Sequence, residues 1–183
     1  KSHDLATIAA DGISTLKVDT IKSTGGTTAM TVDSSGRVLR SVLPAFRVGL
    51  TTQQTSTSAG LKKVEFDTTS SKNCFLQGGV TSSTGTITVP VAGLYNVGAT
   101  IRIDDVSGSY YIIAYIRKNQ ADNPLEGTYV IVDDHGTNYH TLTVNDLFQC
   151  QAGDELECYV YVQSDSSWNI AAERSLFNGH LVG

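Results

Sequence analysis

The sequence predicts an all-β protein: an antiparallel jelly-roll sandwich of about ten strands, preceded by an extended N-terminal β-hairpin or stalk segment. The first observation is composition, because only 17% of the residues are charged, while Thr, Ser, Gly, Val and Tyr are plentiful. These residue types favour strands and turns over helices. The second observation is that short apolar or alternating runs recur between turn-forming residues, and no long segment has a helical period.

From residue 45 onward, runs with strand patterning alternate with turns rich in Gly, Asp, Asn and Ser. One segment, NIAAERS at residues 169–175, has helical leaning but lies in a connection. The predicted strands are Ala45–Leu50, Lys63–Phe66, Thr86–Val89, Leu94–Ile103, Tyr110–Arg117, Thr128–Val132, Leu142–Cys150, Glu155–Val162 and Leu176–Val182.

The N-terminal segment differs from the remainder, and the predicted domains are therefore residues 1–43 and 44–183. A strand through Met30 and Val32 is followed by the turn DSSG at residues 33–36. This turn suits a tight hairpin, because Asp caps the turn and Gly accepts a positive φ. The segment has too few apolar residues for a core of its own. We therefore expect it to pair with copies of itself around an axis, as a β-stalk.

The predicted strand Glu155–Val162 has two different faces, because alternate residues point to opposite sides of a strand. One face carries Tyr159 and Tyr161, which fit either a solvated amphipathic surface or a subunit interface. We favour the interface, because aromatic side chains with a polar tip are enriched there. We place Tyr95 and His180 at the same contact. The predicted core residues of this strand are Leu156, Cys158, Val160 and Val162.

Seven landmarks in a fixed order carry a resemblance to a known family. They are AF at 45–46, VEFD at 64–67, Asn73, TGTITVPVAGLYNV at 84–97, RKN at 117–119, AGDELECYV at 152–160 and FNGHLV at 177–182. With them, residues 44–183 resemble the globular head of complement component 1q, one of the tumour-necrosis-factor-like trimeric jelly rolls. The resemblance implies a jelly-roll head that assembles as a homotrimer.

Several landmarks have a physical role of their own. Pro90 and Gly93 are predicted to form a corner between two strands, because Pro fixes φ and Gly permits the reversal. Gly153 and Asp154 are predicted to make the tight turn before the tyrosine-bearing strand. In the final strand, which in this family returns beside the first, Gly179 lacks a side chain where packing is close.

The N-terminal segment carries a second, shorter resemblance. In place of the collagen-like stem of animal members stands STLKVDTIKSTGGTTAMTVDSSGRV at residues 14–38. This stretch is similar to N-terminal portions of bacteriophage virion proteins, especially from phages of marine cyanobacteria. Together the two resemblances imply a trimeric phage structural protein, assembled in the host cytoplasm and located in the virion. Its N-terminal segment would join other virion proteins.

We find no catalytic motif in the sequence and predict that the protein is not an enzyme. There is no Gly-x-Ser-x-Gly elbow, no phosphate-binding glycine loop and no His-Glu-x-x-His. The net charge is −5 without a basic run, which argues against nucleic-acid binding. No stretch approaches the roughly 20 apolar residues of a membrane span, so no membrane insertion is expected.

Four aspartates in predicted loops are weak candidates for a calcium site. Asp104, Asp105, Asp133 and Asp134 lie in predicted connections, and some complement-type heads bind calcium through such groups near their apex. Calcium prefers oxygen ligands of this kind. Turn chemistry explains these residues better, and we expect neither a metal nor another cofactor.

The three cysteines, Cys74, Cys150 and Cys158, lack metal-type spacing. We interpret them as buried small hydrophobic residues, the usual state of free cysteine. A disulfide between Cys150 and Cys158 across neighbouring strands is the less favoured alternative.

Ligand recognition by such a head falls to loops on a rigid sandwich. The candidate ligand-binding residues are Tyr110, Tyr139, Trp168 and Asn169. Trp168, the single tryptophan, lies in a predicted loop rich in Ser and Asp. Two interpretations of it carry equal weight. It either stacks on a sugar ring or anchors a protein contact, or it folds back as a plug of its own loop.

Two functions fit these expectations. The first is a tail fibre or receptor-binding tip that recognises a glycan or protein of the host surface, where three equal sites give avidity. The second is a capsid decoration, head-fibre or collar protein with a structural role only. A depolymerase acting on envelope polysaccharide and a cellular adhesion protein with the same head are weaker alternatives.

Overall fold

A computed structural model describes residues 19–26, 28–40, 43–67, 73–106, 111–120, 129–133, 139–163, 167–172 and 174–182. The fold is all-β, and its paired strands run antiparallel, in agreement with the predicted fold class. The described residues include no helix long and apolar enough to cross a membrane. The chain divides into two units, residues 1–42 and 43–183.

The first unit contains a three-stranded sheet of β1 (Thr20–Lys22), β2 (Thr28–Val32) and β3 (Val38–Leu39). The predicted turn between β2 and β3 is confirmed. The Asp33 carboxylate accepts hydrogen bonds from the backbone N–H groups of Ser35 at 2.9 Å and Arg37 at 3.0 Å, and Gly36 has a φ of +78°. No side chain between residues 19 and 40 is buried where the structure describes it. The expected pairing with other copies stays a prediction.

One sheet of the second unit, the first sheet, is organised around a long central strand. This strand, β10, has β13 along one edge and β16, followed by β15, along the other. Beyond these lie β4 and β7 next to β16, and β5 next to β15. The strands are β4 (Ala45–Gly49), β5 (Gln54–Ser56), β7 (Phe75–Gln77), β10 (Gly93–Asp104), β13 (Tyr139–Cys150), β15 (Trp168–Ile170) and β16 (Leu176–Leu181).

The other sheet, the second sheet, is ordered β12-β11-β14-β9-β8. The N-terminal half of β14 pairs with β9 and its C-terminal half pairs with β6. The strands are β6 (Gly60–Lys63), β8 (Thr81–Ser83), β9 (Thr86–Thr88), β11 (Tyr111–Lys118), β12 (Tyr129–Asp133) and β14 (Glu155–Val162).

The apolar core forms from the buried residues of both sheets. The Phe177 ring packs on Phe46 with ring centroids 5.1 Å apart and on Phe66 with centroids 5.6 Å apart. The predicted core face of β14 is confirmed, because all four of its alternating residues are fully buried. Cys150 and Cys158 are buried free thiols, so the disulfide alternative is wrong. Burial raises the pKa of the Cys158 thiol far above its usual value.

The predicted close approach at Gly179 is confirmed, since a Cβ atom there would lie 2.6 Å from the Phe46 ring. The Gly153 turn also forms, with a φ of +89°. The Asn119 side chain holds this turn by donating to the Asp154 carboxylate at 2.9 Å and accepting from the Glu155 N–H at 2.8 Å. Landmarks that are far apart in the sequence therefore meet in space.

Two details of the predicted strands are wrong. In place of the predicted strand Lys63–Phe66 the structure has β6, which ends at Lys63. The pairing stops there because the next part of β14, from Glu157 to Glu155, pairs with β9 instead. The segment expected as a polar loop with helical leaning contains β15, since Trp168–Ile170 pairs with β5 and continues the pairing along β10. Cross-strand hydrogen bonds outweigh the weak helical preference of this short stretch.

Candidate functional site

The outer side of the second sheet carries a patch of aromatic and aliphatic side chains, which we call the tyrosine face. Cross-strand neighbours on a sheet point to the same side, and two rows of such neighbours run across β12, β11, β14 and β6. The first row is Tyr129, Tyr115, Tyr159 and Lys63, and the second is Ile131, Ile113, Tyr161 and Leu61. Tyr111, Arg117 and Glu157 complete the tyrosine face.

The tyrosine rings pack against each other in pairs. The Tyr115 and Tyr159 rings are 5.8 Å apart and nearly parallel, at an interplanar angle of 9°. The Tyr111 and Tyr161 rings are 5.7 Å apart at 21°. The Tyr159 and Tyr161 side chains thus share one face, as the strand pattern predicted, and the β11 tyrosines extend that face.

A buried ion pair lies beside these rings. The Glu157 carboxylate, whose side chain is 1% exposed, forms a salt bridge with Lys63. It also accepts hydrogen bonds from Thr86 Oγ1 at 2.7 Å and from the Tyr159 hydroxyl at 3.0 Å. Burial by itself would raise the pKa of Glu157, but the bonds from Lys63, Thr86 and Tyr159 outweigh it and hold that pKa below its usual value. The carboxylate therefore stays charged and fully bonded.

Arg117 provides a second cation on the tyrosine face. Its guanidinium carbon lies 5.0 Å from the Tyr115 ring centre and 4.5 Å from the Tyr159 ring centre, within cation–π range. Its Nη2 donates to the Tyr115 hydroxyl at 3.3 Å. Arg117 Nε is buried without a hydrogen-bond partner in the part of the chain that the structure describes.

Apolar groups dominate the exposed part of the tyrosine face. Tyr129 and Ile131 are each 50% exposed and Leu61 is 46% exposed. The hydroxyls of Tyr115 and Tyr159 already have partners within the same face. Covering this surface would remove apolar area from water while breaking few hydrogen bonds to solvent.

The outer side of the first sheet has a different character, and we call it the amide face. Its rows are again defined by strand register, across β4, β16, β10 and β13. Asn145, Asn178 and His180 are exposed. The Thr100 and Thr143 hydroxyls lie 3.3 Å apart. The amide face consists of Ala45, Arg47, Asn96, Gly98, Thr100, Thr143, Asn145, Leu147, Leu176, Asn178 and His180.

The four residues predicted at the trimer interface do not share one surface. Tyr159 and Tyr161 lie on the tyrosine face, whereas His180 lies on the amide face, across the sandwich. Tyr95 is fully buried in the core, and its hydroxyl donates to the Val91 carbonyl at 3.0 Å. Its placement at an interface is therefore wrong, because residue parity on β10 points its ring between the sheets.

The candidate ligand-binding residues also separate. The Trp168 indole is 0% exposed and its Nε1–H donates to the Ser58 carbonyl at 3.0 Å. Asn169 is buried too, accepting from Thr55 Oγ1 at 2.7 Å and donating to the Asp105 carboxylate at 2.6 Å. The prediction that Trp168 and Asn169 contact a ligand is therefore wrong. Of the two interpretations of Trp168, the structure agrees with the one in which its side chain folds back into the protein.

Tyr139 remains exposed, at the start of β13, and its ring lies 4.7 Å from the Arg102 guanidinium carbon. Tyr110, Asp134 and the Asp133 side chain lie outside the described residues. Asp104 forms an ion pair with Arg102 at 2.5 Å. Among the residues that the structure describes, no group of three His, Cys, Asp or Glu side chains could hold a metal ion.

A cleft of about 620 Å³ lies between β5, β8 and the segment 65–67. Two of its polar side chains, Asp67 and Gln54, are engaged within the protein. Asp67 accepts from the N–H and hydroxyl of Thr51 at 2.8 and 2.6 Å, and Gln54 Oε1 accepts from the Glu65 N–H at 3.0 Å. These bonds hold segment 65–67 against its neighbours.

Sequence reasoning missed Lys63 and Arg117 as parts of the tyrosine face. The alternation Tyr111, Ile113, Tyr115, Arg117 in β11 contains a detectable signal, because period two places the four on one side. The Lys63–Glu157 pair has no such signal, since 94 positions separate its members and only the pairing of β6 with β14 joins them.

No protein-family model matches this chain, and no curated protein matches it in sequence. The resemblances to complement-type heads and phage virion proteins therefore stay predictions from the residues.

Proposed function

We propose that this chain is a non-enzymatic structural protein of a bacteriophage virion, assembled in the host cytoplasm as a homotrimer. In this proposal it acts as a tail fibre or receptor-binding tip, whose head presents loops to the host surface. The N-terminal segment joins other virion proteins. The observation that carries the assembly step is the tyrosine face.

Three features of the tyrosine face support its burial between subunits. Its exposed side chains are aromatic or aliphatic, the composition of interface centres. Its buried carboxylate, Glu157, is neutralised by Lys63. Arg117 lies over the Tyr115 and Tyr159 rings, and arginine is enriched together with aromatic residues in the centres of interfaces.

Trimerisation gives the head its functional value in this proposal. A closed threefold ring repeats each loop three times on one particle appendage. Three weak contacts made together bind more tightly than one by about a hundredfold or more. A host-attachment protein benefits directly from this gain.

The test of assembly is light scattering coupled to size-exclusion chromatography on the full chain. We expect a mass three times the 19.5 kDa of one chain. The double variant Tyr159→Lys with Tyr161→Lys should elute as a folded monomer, because two buried cations would have to lose their hydration. A matched double variant on the amide face, Asn96→Lys with Asn178→Lys, should remain trimeric.

Two results would reject this assignment. A monomeric wild-type chain overturns the trimer. If the amide-face double variant is monomeric while the double variant at Tyr159 and Tyr161 stays trimeric, the interface lies on the opposite side of the sandwich. Circular dichroism of each variant separates loss of assembly from loss of fold.

A structural role only, as a capsid decoration, head-fibre or collar protein, is the second proposal. It is favoured by the burial of Trp168 and Asn169, because burial removes two of the side chains expected to contact a ligand. Binding of the fluorescently labelled trimer to host cells separates the two. Specific binding favours the receptor-binding tip, and its absence, together with density on the capsid in particle reconstructions, favours decoration.

A further inference from the structure

We infer that Tyr139, Asp104 and Arg102 form a binding site for a neutral pyranose sugar at one end of the first sheet. The site lies where β10 ends and β13 begins, because Asp104 and Tyr139 are paired residues at those strand ends. The inference rests on the proposed host-attachment function and names a ligand class and a site for it.

The Tyr139 ring is an exposed platform held on one side. It is 59% exposed, the largest value for any large apolar side chain among the described residues. The Arg102 guanidinium supports it at 4.7 Å from the ring centre. An aromatic ring fixed on a strand in this way loses little freedom when a flat apolar surface stacks on it.

The supporting arginine is itself fixed from several directions. Arg102 Nε donates to Asp104 Oδ1 at 2.5 Å, and its backbone N–H donates to Ser175 Oγ at 3.1 Å. The Arg102 carbonyl accepts from the Ala171 N–H at 2.9 Å. Ring, guanidinium and carboxylate are therefore in place before any ligand arrives.

A pyranose matches this arrangement chemically. It has a face of C–H groups that packs on an aromatic ring, and a rim of hydroxyl groups that donate hydrogen bonds. Oδ1 of Asp104 accepts the hydrogen bond from Arg102, and both oxygens of a carboxylate can accept hydrogen bonds. Oδ2 of Asp104 can therefore accept from a sugar hydroxyl beside the Tyr139 ring, in a charge-assisted bond.

The local charge selects for a neutral sugar. The Arg102 cation is neutralised by Asp104. Asp105, the next residue, adds a second carboxylate, which accepts from the Asn169 amide at 2.6 Å. The site therefore carries one excess negative charge from these three groups. A uronic or sialic acid would be repelled, because like charges at close range are unfavourable.

Saturation-transfer difference NMR on the full chain tests this inference directly. The probes are methyl β-D-galactopyranoside, methyl α-D-glucopyranoside and sodium D-glucuronate. We expect saturation of the C–H protons of at least one neutral pyranoside, with a dissociation constant of about 1 mM. D-Glucuronate should bind about fivefold more weakly or worse.

Variants locate the binding. Tyr139→Leu should reduce the transferred saturation by about tenfold, because the stacking surface is lost. Tyr139→Phe should retain it, and Asp104→Asn should weaken binding by about fivefold. Leu147→Ala is the matched control, since Leu147 is exposed on the same strand but belongs to the amide face, and binding should be unchanged.

Three outcomes overturn the inference: no transfer to either neutral pyranoside, equal transfer with Tyr139→Leu, or stronger transfer to D-glucuronate. These results are separable from failure of the proposed function. A trimer that attaches to host cells without binding either pyranoside rejects only the sugar site. A monomeric chain rejects the proposed assembly whatever the sugar result.

Discussion

The two outer faces of the sandwich differ in how their most prominent polar side chains are satisfied. On the tyrosine face, the Tyr159 hydroxyl bonds to Glu157 and the Tyr115 hydroxyl to Arg117. On the amide face, Asn145 and Asn178 are exposed to solvent. Both faces belong to one sandwich, and their side-chain chemistry distinguishes them.

This contrast teaches which kind of surface is ready to be covered. A polar group that is bonded to water must give up that bond on burial, whereas a group bonded within its own face keeps its partner. The tyrosine face can therefore lose its water at a lower free-energy cost than the amide face. Internal hydrogen bonding, rather than apolar area alone, makes it the better interface.

The largest expected effect concerns the ion pair inside the tyrosine face. Glu157→Gln should lower the free energy of unfolding by about 3 kcal/mol, because it leaves the Lys63 cation without its buried counter-charge. Urea unfolding followed by circular dichroism measures the change.

The matched variant for this test is Asp104→Asn at the end of the first sheet. Its pair with Arg102 is more accessible, at 19% and 20% side-chain exposure against 1% for Glu157. We expect a loss of about 1 kcal/mol or less there. Equal losses at both sites would mean that the tyrosine face does not depend on its internal ion pair.

The next effect compares two glycines of the first sheet, one facing the core and one on the amide face. Gly179→Ala should lower stability by about 2 kcal/mol, because the new Cβ would lie 2.6 Å from the Phe46 ring and 3.0 Å from the Asn96 carbonyl. Gly98→Ala meets the end of the Asn145 side chain at 2.7 Å.

The Asn145 amide is exposed and can rotate away, so Gly98→Ala should lower stability by less than about 1 kcal/mol. Thermal unfolding of the two variants under identical conditions measures the difference. A larger loss at Gly98 would show that the amide face is as tightly packed as the core.

The smallest effect is a titration on the tyrosine face. Burial, followed by the hydrogen bond and charge of Glu157, raises the pKa of Tyr159 from 10.0 to about 12. Because the folded pKa lies above the unfolded value, this tyrosine stabilises the fold fully below pH 10 and loses that contribution between pH 10 and about pH 12.

Ultraviolet absorbance of the phenolate during an alkaline titration measures this pKa. Tyr159→Phe should remove the latest ionisation step, and Glu157→Gln should move that step to lower pH. A late step that survives in Tyr159→Phe would assign the raised pKa to another tyrosine and leave the Tyr159–Glu157 bond without support.

Local sequence signals predicted several elements at residue level. The Asp33–Gly36 turn forms because its capping and φ requirements lie within four residues. The two faces of β14 follow from strand parity alone. Tyr95 also obeys parity, but the sequence does not say which side of β10 is the inner one, and our placement of it at the surface failed for that reason.

Predictions failed where a distant partner decides the outcome. Trp168 has the polar neighbours of a loop, yet pairing with β5 and the hydrogen bond to Ser58 bury it. Ser58 lies 110 positions from Trp168, and the residues near Trp168 in the sequence do not indicate these partners. The sugar-binding candidate therefore shifts to Tyr139, which faces solvent next to Asp104 and Arg102.

The amino-acid sequence by itself determined the all-β class, the N-terminal hairpin turn, and the alternation that separates core from surface along β14. These depend on φ preferences and on period-two patterning, which act over a few residues. Only the tertiary structure decided that Lys63 neutralises Glu157, that β11 and β14 join their tyrosines into one face, and that Trp168 is buried. These depend on strand pairing between distant segments, because burial and ion pairing are properties of neighbours in space rather than in sequence.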